Sequence, residues 1–482
     1  MQISPRAAPL RKPRFGQLIT YNHKEKPDFD AIIVGAGFFG CHLLYLLRAS
    51  GFKCLVLDEG ADLGCVWHWN CYSGAQVDSR VLIYEYSNRL LWKDWIWTQK
   101  YPGRAELCAY FAHVESKLHL KQDIIFNTRV ASARWVEGKS STDGNTWTTR
   151  LFLPKWPQGG IDYRGKRVAV IGNGSSGLQV IQELGSEVKT LTVFQRSPTC
   201  NLPMGQEDLS VEDQSHAKST YPAKFVHRQR TIGGYPDVIS DPAINREAYD
   251  FWRSEAELLA PKEPPFFYGT KRATLEQNLC EVYNQENVEI INTKANAISE
   301  IRLDGILTAD GTFRDIDIIV FATGFDAMTG PLLAIDVEGV SMTLRGKCAG
   351  VIQTHLGLMA SGSPNMTILC GPHGPTSFCN GPTCAELYGE WVLDTPLNMR
   401  QHGLSRIDAA DGAEKIWKQA IDYIANAMLI PETDSEYKGT NIPGKLKKCI
   451  NYLGGFPDNS KRINREIQDC CPLYRCRHFA LH

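Results

Sequence analysis

Two stretches of the chain share one alternation of apolar and polar positions. In the first, residues 30–34 make an apolar run of strand length, a glycine-rich turn follows, LeuLeuTyrLeuLeu lies in a helical run ended by Gly51, and PheLysCysLeuValLeu closes on an acid, Asp58. In the second, residues 168–171 are strand, GlyAsnGlySerSerGly is turn, LeuGlnValIleGlnGluLeu is helix, and LeuThrValPhe ends on Gln195, Arg196 and Ser197. Short apolar runs separated by a helical segment predict parallel strands joined by a crossover helix. The fold expected is α/β, with two Rossmann-like dinucleotide-binding domains. Further on, residues 315–321 predict a strand ended by AlaThrGly, small residues that suit a hinge, and residues 413–428 carry the helical period of a packing helix.

Each glycine of the first turn has a task. Gly35 permits the tight turn, Gly37 lets backbone approach a pyrophosphate, and Gly40 lets helix pack on strand. The phosphates rest at the helix N-terminus, where N–H groups and the dipole favour negative charge. Asp58 meets ribose hydroxyls and repels a 2′-phosphate, so this cradle suits FAD or NAD. In the second cradle Gly172, Gly174, Ser175 and Gly177 repeat the turn, but Arg196 and Ser197 stand where the acid would be. A guanidinium with a hydroxyl suits the extra phosphate of NADP. The pair predicts a resident FAD reduced by a visiting NADPH, hence a flavin oxidoreductase.

Composition narrows the partners. With 52 basic and 53 acidic residues in 482, no charge excess points to nucleic acid or an anionic membrane. No apolar run reaches the roughly 18 residues of a membrane span, and the start lacks a signal-peptide core, so a cytoplasmic protein is expected. The 15 cysteines, among them Cys41, Cys54 and Cys370, are expected as buried thiols rather than a disulfide framework. The cysteine-rich tail, 470–478, lacks a second half at zinc-finger spacing, so no metal site is assigned.

Beyond the first cradle comes GlyCysValTrpHisTrpAsnCysTyrSerGlyAlaGlnValAspSer, 64–79. Together with PheGlnArgSerPro (194–198), GlyThrLysArg (269–272), PheAlaThrGlyPheAspAlaMetThrGly (321–330), GlyProHisGlyProThrSerPhe (371–378) and AsnIleProGlyLys (441–445), it resembles the class B flavin monooxygenases, in particular the Baeyer–Villiger type, over about residues 28–457. The resemblance implies that NADPH reduces FAD, that the reduced flavin activates O₂, and that one oxygen enters a bulky or cyclic ketone to give an ester or lactone, as in natural-product biosynthesis. It implies Asp78 and Arg272 as the active pair, Lys271 and Arg196 flanking the NADP 2′-phosphate, and Trp67 and Trp69 either lining the flavin pocket or packing in the core. A guanidinium keeps its proton and stabilises negative charge on the oxygen adduct, and a carboxylate orients it.

On this basis the chain divides into an arm at 1–27, a first FAD-binding part at 28–157, an NADP-binding domain at 158–322 with a helical, lid-like insertion at about 205–268, and a second FAD-binding part with C-terminal segment at 323–482. It also departs from the family. Between residue 150 and the second cradle several tens of residues are missing, including a strand with an AlaThrGly-type turn; Lys155, Trp156 and Pro157 resemble the end of the lost fingerprint, and Phe152 stands in place of its histidine. Loss of that strand predicts a sheet with an unpaired edge, or one closed by LeuPheLeu (151–153) alone, and places FAD retention in question. Cys65 replaces a glycine, Ser73 a proline and Glu436 a tryptophan. Two alternatives follow: oxygenation of a soft nitrogen or sulfur, or an impaired remnant that binds cofactors without turnover.

Overall fold

The structure, a computed structural model, describes residues 29–81, 84–135, 161–199, 201–233, 266–267, 269–326, 328–348, 353–369, 371–442, 444, 447–468 and 474–478. The N-terminal arm, the segment holding Phe152, Lys155, Trp156 and Pro157, most of the expected insertion, Cys370 and much of the cysteine-rich tail lie outside these residues.

The first cradle folds as its pattern predicts. Strand β1 (Ala31–Val34) leads through the glycine turn into helix α1 (Phe38–Ala49) and returns as β2 (Cys54–Leu57), parallel to β1 with Ala31 opposite Cys54. β2 pairs in turn with the short β3 (Ile124–Ile125). Leu44 and Leu47 of α1 pack with Val56, Tyr110 and Phe111, so the apolar face of the crossover helix is buried on the sheet. Helices α2 (Val66–Trp69) and α3 (Arg104–Leu118) complete this layer. Arg48, in the last turn of α1, ion-pairs with Asp123 at 3.1 Å and so ties the helix end to the entry of β3.

The second sheet has four parallel strands: β4 (Arg167–Ile171), β5 (Thr190–Gln195), β6 (Val288–Asn292) and β7 (Ile318–Phe321), in the order β7-β4-β5-β6. Helix α4 (Ser175–Leu184) is the crossover. Val168, Val170, Leu191 and Val193 are fully buried, the continuous apolar run expected of strands covered on both faces.

The two cradles differ at one edge. AlaThrGly after β7 crosses directly over the second cradle: a Cβ on Gly172 would stand 2.3 Å from the carbonyl oxygen of Ala322. Around Gly35, the equivalent glycine of the first cradle, a Cβ would find no atom of the described residues within 4 Å. Among the described residues β1 is paired on one side only, and Ile32 and Val34 are 36% and 52% exposed. The LeuPheLeu stretch expected as a possible closing strand, 151–153, lies outside the described residues.

Between β5 and β6, residues 201–203 pair with 274–276, followed by helices α5 (Val211–Ser219) and α6 (Tyr221–Arg228). The later part adds helices: α7 (Gly381–Gln401) packs on α1, and Gly389 is needed there because a Cβ would meet the His42 ring at 2.7 Å. Strand β8 (Leu404–Ala409) pairs with residues 474–478, and α8 (Asp411–Asn426) buries Trp417 and Ile421 beside it. Arg228, wholly buried, ion-pairs with Glu386 at 2.6 Å and joins α6 to α7. The cysteine expectation needs one correction: Cys379 and Cys384, five residues apart at the start of α7, form a disulfide, while Cys41 and Cys54 are buried thiols as expected. No helix among the described residues is long and apolar enough to cross a membrane.

Candidate active site

In the first cradle Gly35 adopts φ +98°, and a Cβ on Gly40 would lie 1.9 Å from the carbonyl oxygen of Gly35, so α1 starts hard against the turn only because residue 40 is glycine. The N-cap is Gly37, no side chain caps the first turn and no acid lies in it. Its N–H groups therefore suit an anion, which fits a dinucleotide pyrophosphate. Asp58 is buried, and its two oxygens accept the N–H groups of Ala36 and Gly60, both at 2.6 Å. It braces the glycine turn against the end of β2, and each oxygen keeps a further lone pair. Trp67 packs in the core, with its indole N–H donating to the Tyr84 hydroxyl at 3.1 Å. Cys65 departs from the family more sharply than the sequence suggests. Its φ of +48° is a left-handed value, and a Cβ on Gly37 would touch its own Cβ at 2.7 Å.

The second cradle begins with Gly172 at φ +103°, and α4 starts at Ser175 with Gly174 as an uncapped N-cap and no acid in its first turn. A Cβ on Gly177 would stand 2.2 Å from the Gly172 oxygen. This cradle fits a second dinucleotide on the same grounds. Asn173 donates to the Gln195 side chain at 2.7 Å and to the Ser197 carbonyl at 3.3 Å, thereby fixing the corner that carries exposed Arg196. Lys271 faces this corner. Burial holds its ammonium below the ordinary lysine value, Arg196 and Lys294 depress it further, and Glu436 and Asp434 oppose them. Lys294 follows β6, where the Thr293 N–H donates to the Gln195 carbonyl at 2.8 Å. Neither Asn173 nor Lys294 was singled out in the sequence, although Asn173 lies inside the GlyAsnGlySerSerGly turn.

The loop after α2 joins the two cradles. The Tyr72 hydroxyl donates to Gln179 of α4 at 2.9 Å, Gln179 donates to the Gln76 carbonyl at 2.9 Å, and Gln277 donates to the Gln76 side chain at 3.0 Å. Gly74 lies flush on α4: a Cβ would be 2.7 Å from the Gln179 carbonyl oxygen. At this seam the Arg272 guanidinium donates to the Asp78 carboxylate. Asp78 is mostly covered and Arg272 is 53% exposed, so a fixed positive charge is held by an acid at the surface of the seam. The Arg272 N–H donates to Glu436 at 3.2 Å. Next to it, burial pushes the Tyr437 hydroxyl well above the ordinary tyrosine value, with the Glu436 charge adding to the effect.

A family profile described as an NAD(P)-binding Rossmann-like domain matches residues 33–95, which cover the first cradle and the loop carrying Asp78. The chain is 34% identical over 531 aligned positions to cyclopentanone 1,2-monooxygenase of a Comamonas species, covering 93% of this chain and 96% of that protein. It belongs to the FAD-binding Baeyer–Villiger monooxygenases. The FAD-binding monooxygenase acrE of Aspergillus aculeatus is 33% identical, with 94% of this chain and 89% of that protein covered. Both alignments are longer than the chain itself, so these relatives carry residues that it lacks, as the shortened segment before β4 requires. Among solved structures, the family member OTEMO in complex with FAD and NADP superposes with a TM-score of 0.85 at 27% identity, covering 94% of this chain and all of that one.

Proposed function

We infer that the protein is an FAD-dependent, NADPH-consuming monooxygenase that places one oxygen of O₂ beside the carbonyl of a cyclic or bulky ketone, giving an ester or lactone. The observation that carries this is the Arg272–Asp78 pair, held at the seam of two uncapped dinucleotide cradles of which only the second ends in a base. Bound FAD supplies the acceptor for the electrons of NADPH and the activation of O₂.

The chain's own residues supply the rest. Arg196, Ser197 and Lys271 hold the 2′-phosphate and so select NADPH. Asp78 accepts from the guanidinium and holds its charge in place on a side chain that is half exposed. Because arginine does not release its proton, it favours an anionic oxygen as the attacking group and stabilises the carbonyl oxygen as charge builds on it. The anionic form attacks an electrophilic carbonyl carbon, which favours ketones over soft nitrogen or sulfur. The name of the cyclopentanone relative supports a ring ketone as first substrate.

One observation favours a second reading, a cofactor-binding remnant: among the described residues β1 is paired on one side only. One preparation tests both. Purified protein should be yellow, with FAD released on denaturation, and should consume NADPH faster when cyclopentanone is added, with δ-valerolactone as product. A colourless protein with no ketone-dependent consumption would favour the remnant.

A further inference from the structure

We propose that Glu436 is a positioning residue for Arg272: its carboxylate holds the backbone of the turn that bears the guanidinium and so sets where that charge stands against Asp78. This rests on the role given to Arg272 above. The turn at 269–272 is irregular, with Gly269 at φ +79°, and joins a sheet only at 274–276. Two rungs secure it to the later segment. Thr270 and Thr433, both buried, share a hydroxyl–hydroxyl hydrogen bond at 2.8 Å, and the Arg272 N–H donates to Glu436 Oε1 at 3.2 Å.

The anchoring segment is itself fixed. Tyr437 is buried against Phe378 at 4.5 Å between ring centroids, the Ile450 N–H donates to the Tyr437 carbonyl at 3.1 Å, and Asn441 donates to the Phe325 carbonyl at 3.0 Å. Asp434, the neighbouring acid, is engaged by Lys447 at 2.6 Å, which leaves Glu436 as the acid that meets the turn. A tryptophan, expected here from the family pattern, has only an indole donor and could not accept the Arg272 N–H. This chain therefore secures the arginine turn by a charge-assisted hydrogen bond that a tryptophan cannot make. Without it the Arg272 backbone loses that tie to the later segment, and a displacement of about 1 Å at a reacting group costs roughly a hundredfold in rate.

The test compares wild type, Glu436→Ala and Glu436→Gln as FAD-loaded proteins, with Arg272→Ala as control. Hydrogen exchange at the Arg272 amide and product formed per NADPH consumed are measured alongside flavin reduction by NADPH and melting temperature. In Glu436→Ala the amide should exchange about tenfold faster and coupling should fall about tenfold, as loss of a hydrogen bond to a charged group predicts. Flavin reduction and melting temperature should hold. In Glu436→Gln the amide oxygen still accepts, so both protection and coupling should return to near wild type. Should alanine not fold, Glu436→Asp, one methylene short, must show the same two losses. Unchanged protection and coupling in Glu436→Ala, or a Glu436→Gln as defective as alanine, overturns the proposal. If Arg272→Ala still forms product at the normal rate, the role of Arg272 itself fails, and the exchange measurement still reports on Glu436 independently.

Discussion

Arg272 donates through its guanidinium to the carboxylate of Asp78, although 194 residues separate them along the chain. One comes from the loop behind the first cradle, the other from the turn before residues 274–276, and only the docking of that loop on α4 brings them together. Arg272→Ala should leave flavin reduction by NADPH intact and lower product formation by about a hundredfold or more, the loss typical of removing one preorganised donor. Asp78→Ala should lower it by roughly ten- to a hundredfold, since the guanidinium remains but is no longer held. Stopped-flow reduction and product quantification separate the two steps.

The positive corner formed by Arg196 and Lys271 gives a cofactor prediction. Arg196→Ala should raise KM for NADPH by about ten- to a hundredfold while barely changing KM for NADH, because only NADPH carries the phosphate proposed above to meet this side chain. Steady-state kinetics with both cofactors checks this. Equal losses with the two cofactors would place Arg196 elsewhere in the mechanism.

Cys65 holds a left-handed backbone at a position where the family has glycine. Such a conformation costs a non-glycine residue about 1–3 kcal/mol, partly offset by the entropy that glycine loses on folding. Cys65→Gly should therefore stabilise the protein by about 1 kcal/mol, a rise of about 2–4 °C in melting temperature if the domain unfolds cooperatively. Cys65→Ala keeps the Cβ and should give no such gain. Differential scanning calorimetry of the three proteins decides it.

Glu85 is buried where α6 meets the first domain. Burial pushes its carboxyl up to about 7, against the pull of Tyr221, Lys218, Trp97 and Arg228. The native state thus favours the protonated acid. The penalty is absent below the unfolded value of about 4.3 and grows as pH rises, reaching its full size of roughly 3 kcal/mol above the native value. Glu85→Gln should match wild-type stability near pH 4.5 and exceed it near pH 8, as read from denaturant midpoints. A difference that does not change with pH would contradict the account.

Both cradles could be read from the sequence because their requirements are local: a glycine three residues into a helix or at a left-handed turn is visible in the chain itself. The polarity of their second strands was visible too, as Asp58 in one and Arg196 in the other. Asp78 and Arg272 were legible only through family motifs, since nothing local marks an arginine whose acid lies across the molecule. The Arg272–Glu436 contact spans 164 residues and replaces a family tryptophan, so neither pattern nor resemblance could supply it. Trp67 was ambiguous because an indole serves a core or a pocket equally well. The Cys379–Cys384 bond was missed because cysteines five residues apart read the same whether bonded or free.

The central claim is tested most directly by supplying purified, FAD-loaded enzyme with NADPH, a cyclic ketone and heavy-isotope dioxygen, and weighing the product by mass spectrometry. The account predicts a lactone carrying one heavy oxygen atom, formed in proportion to NADPH consumed and lost in Arg272→Ala. NADPH oxidised at the same rate with and without ketone, with no labelled lactone, would contradict it.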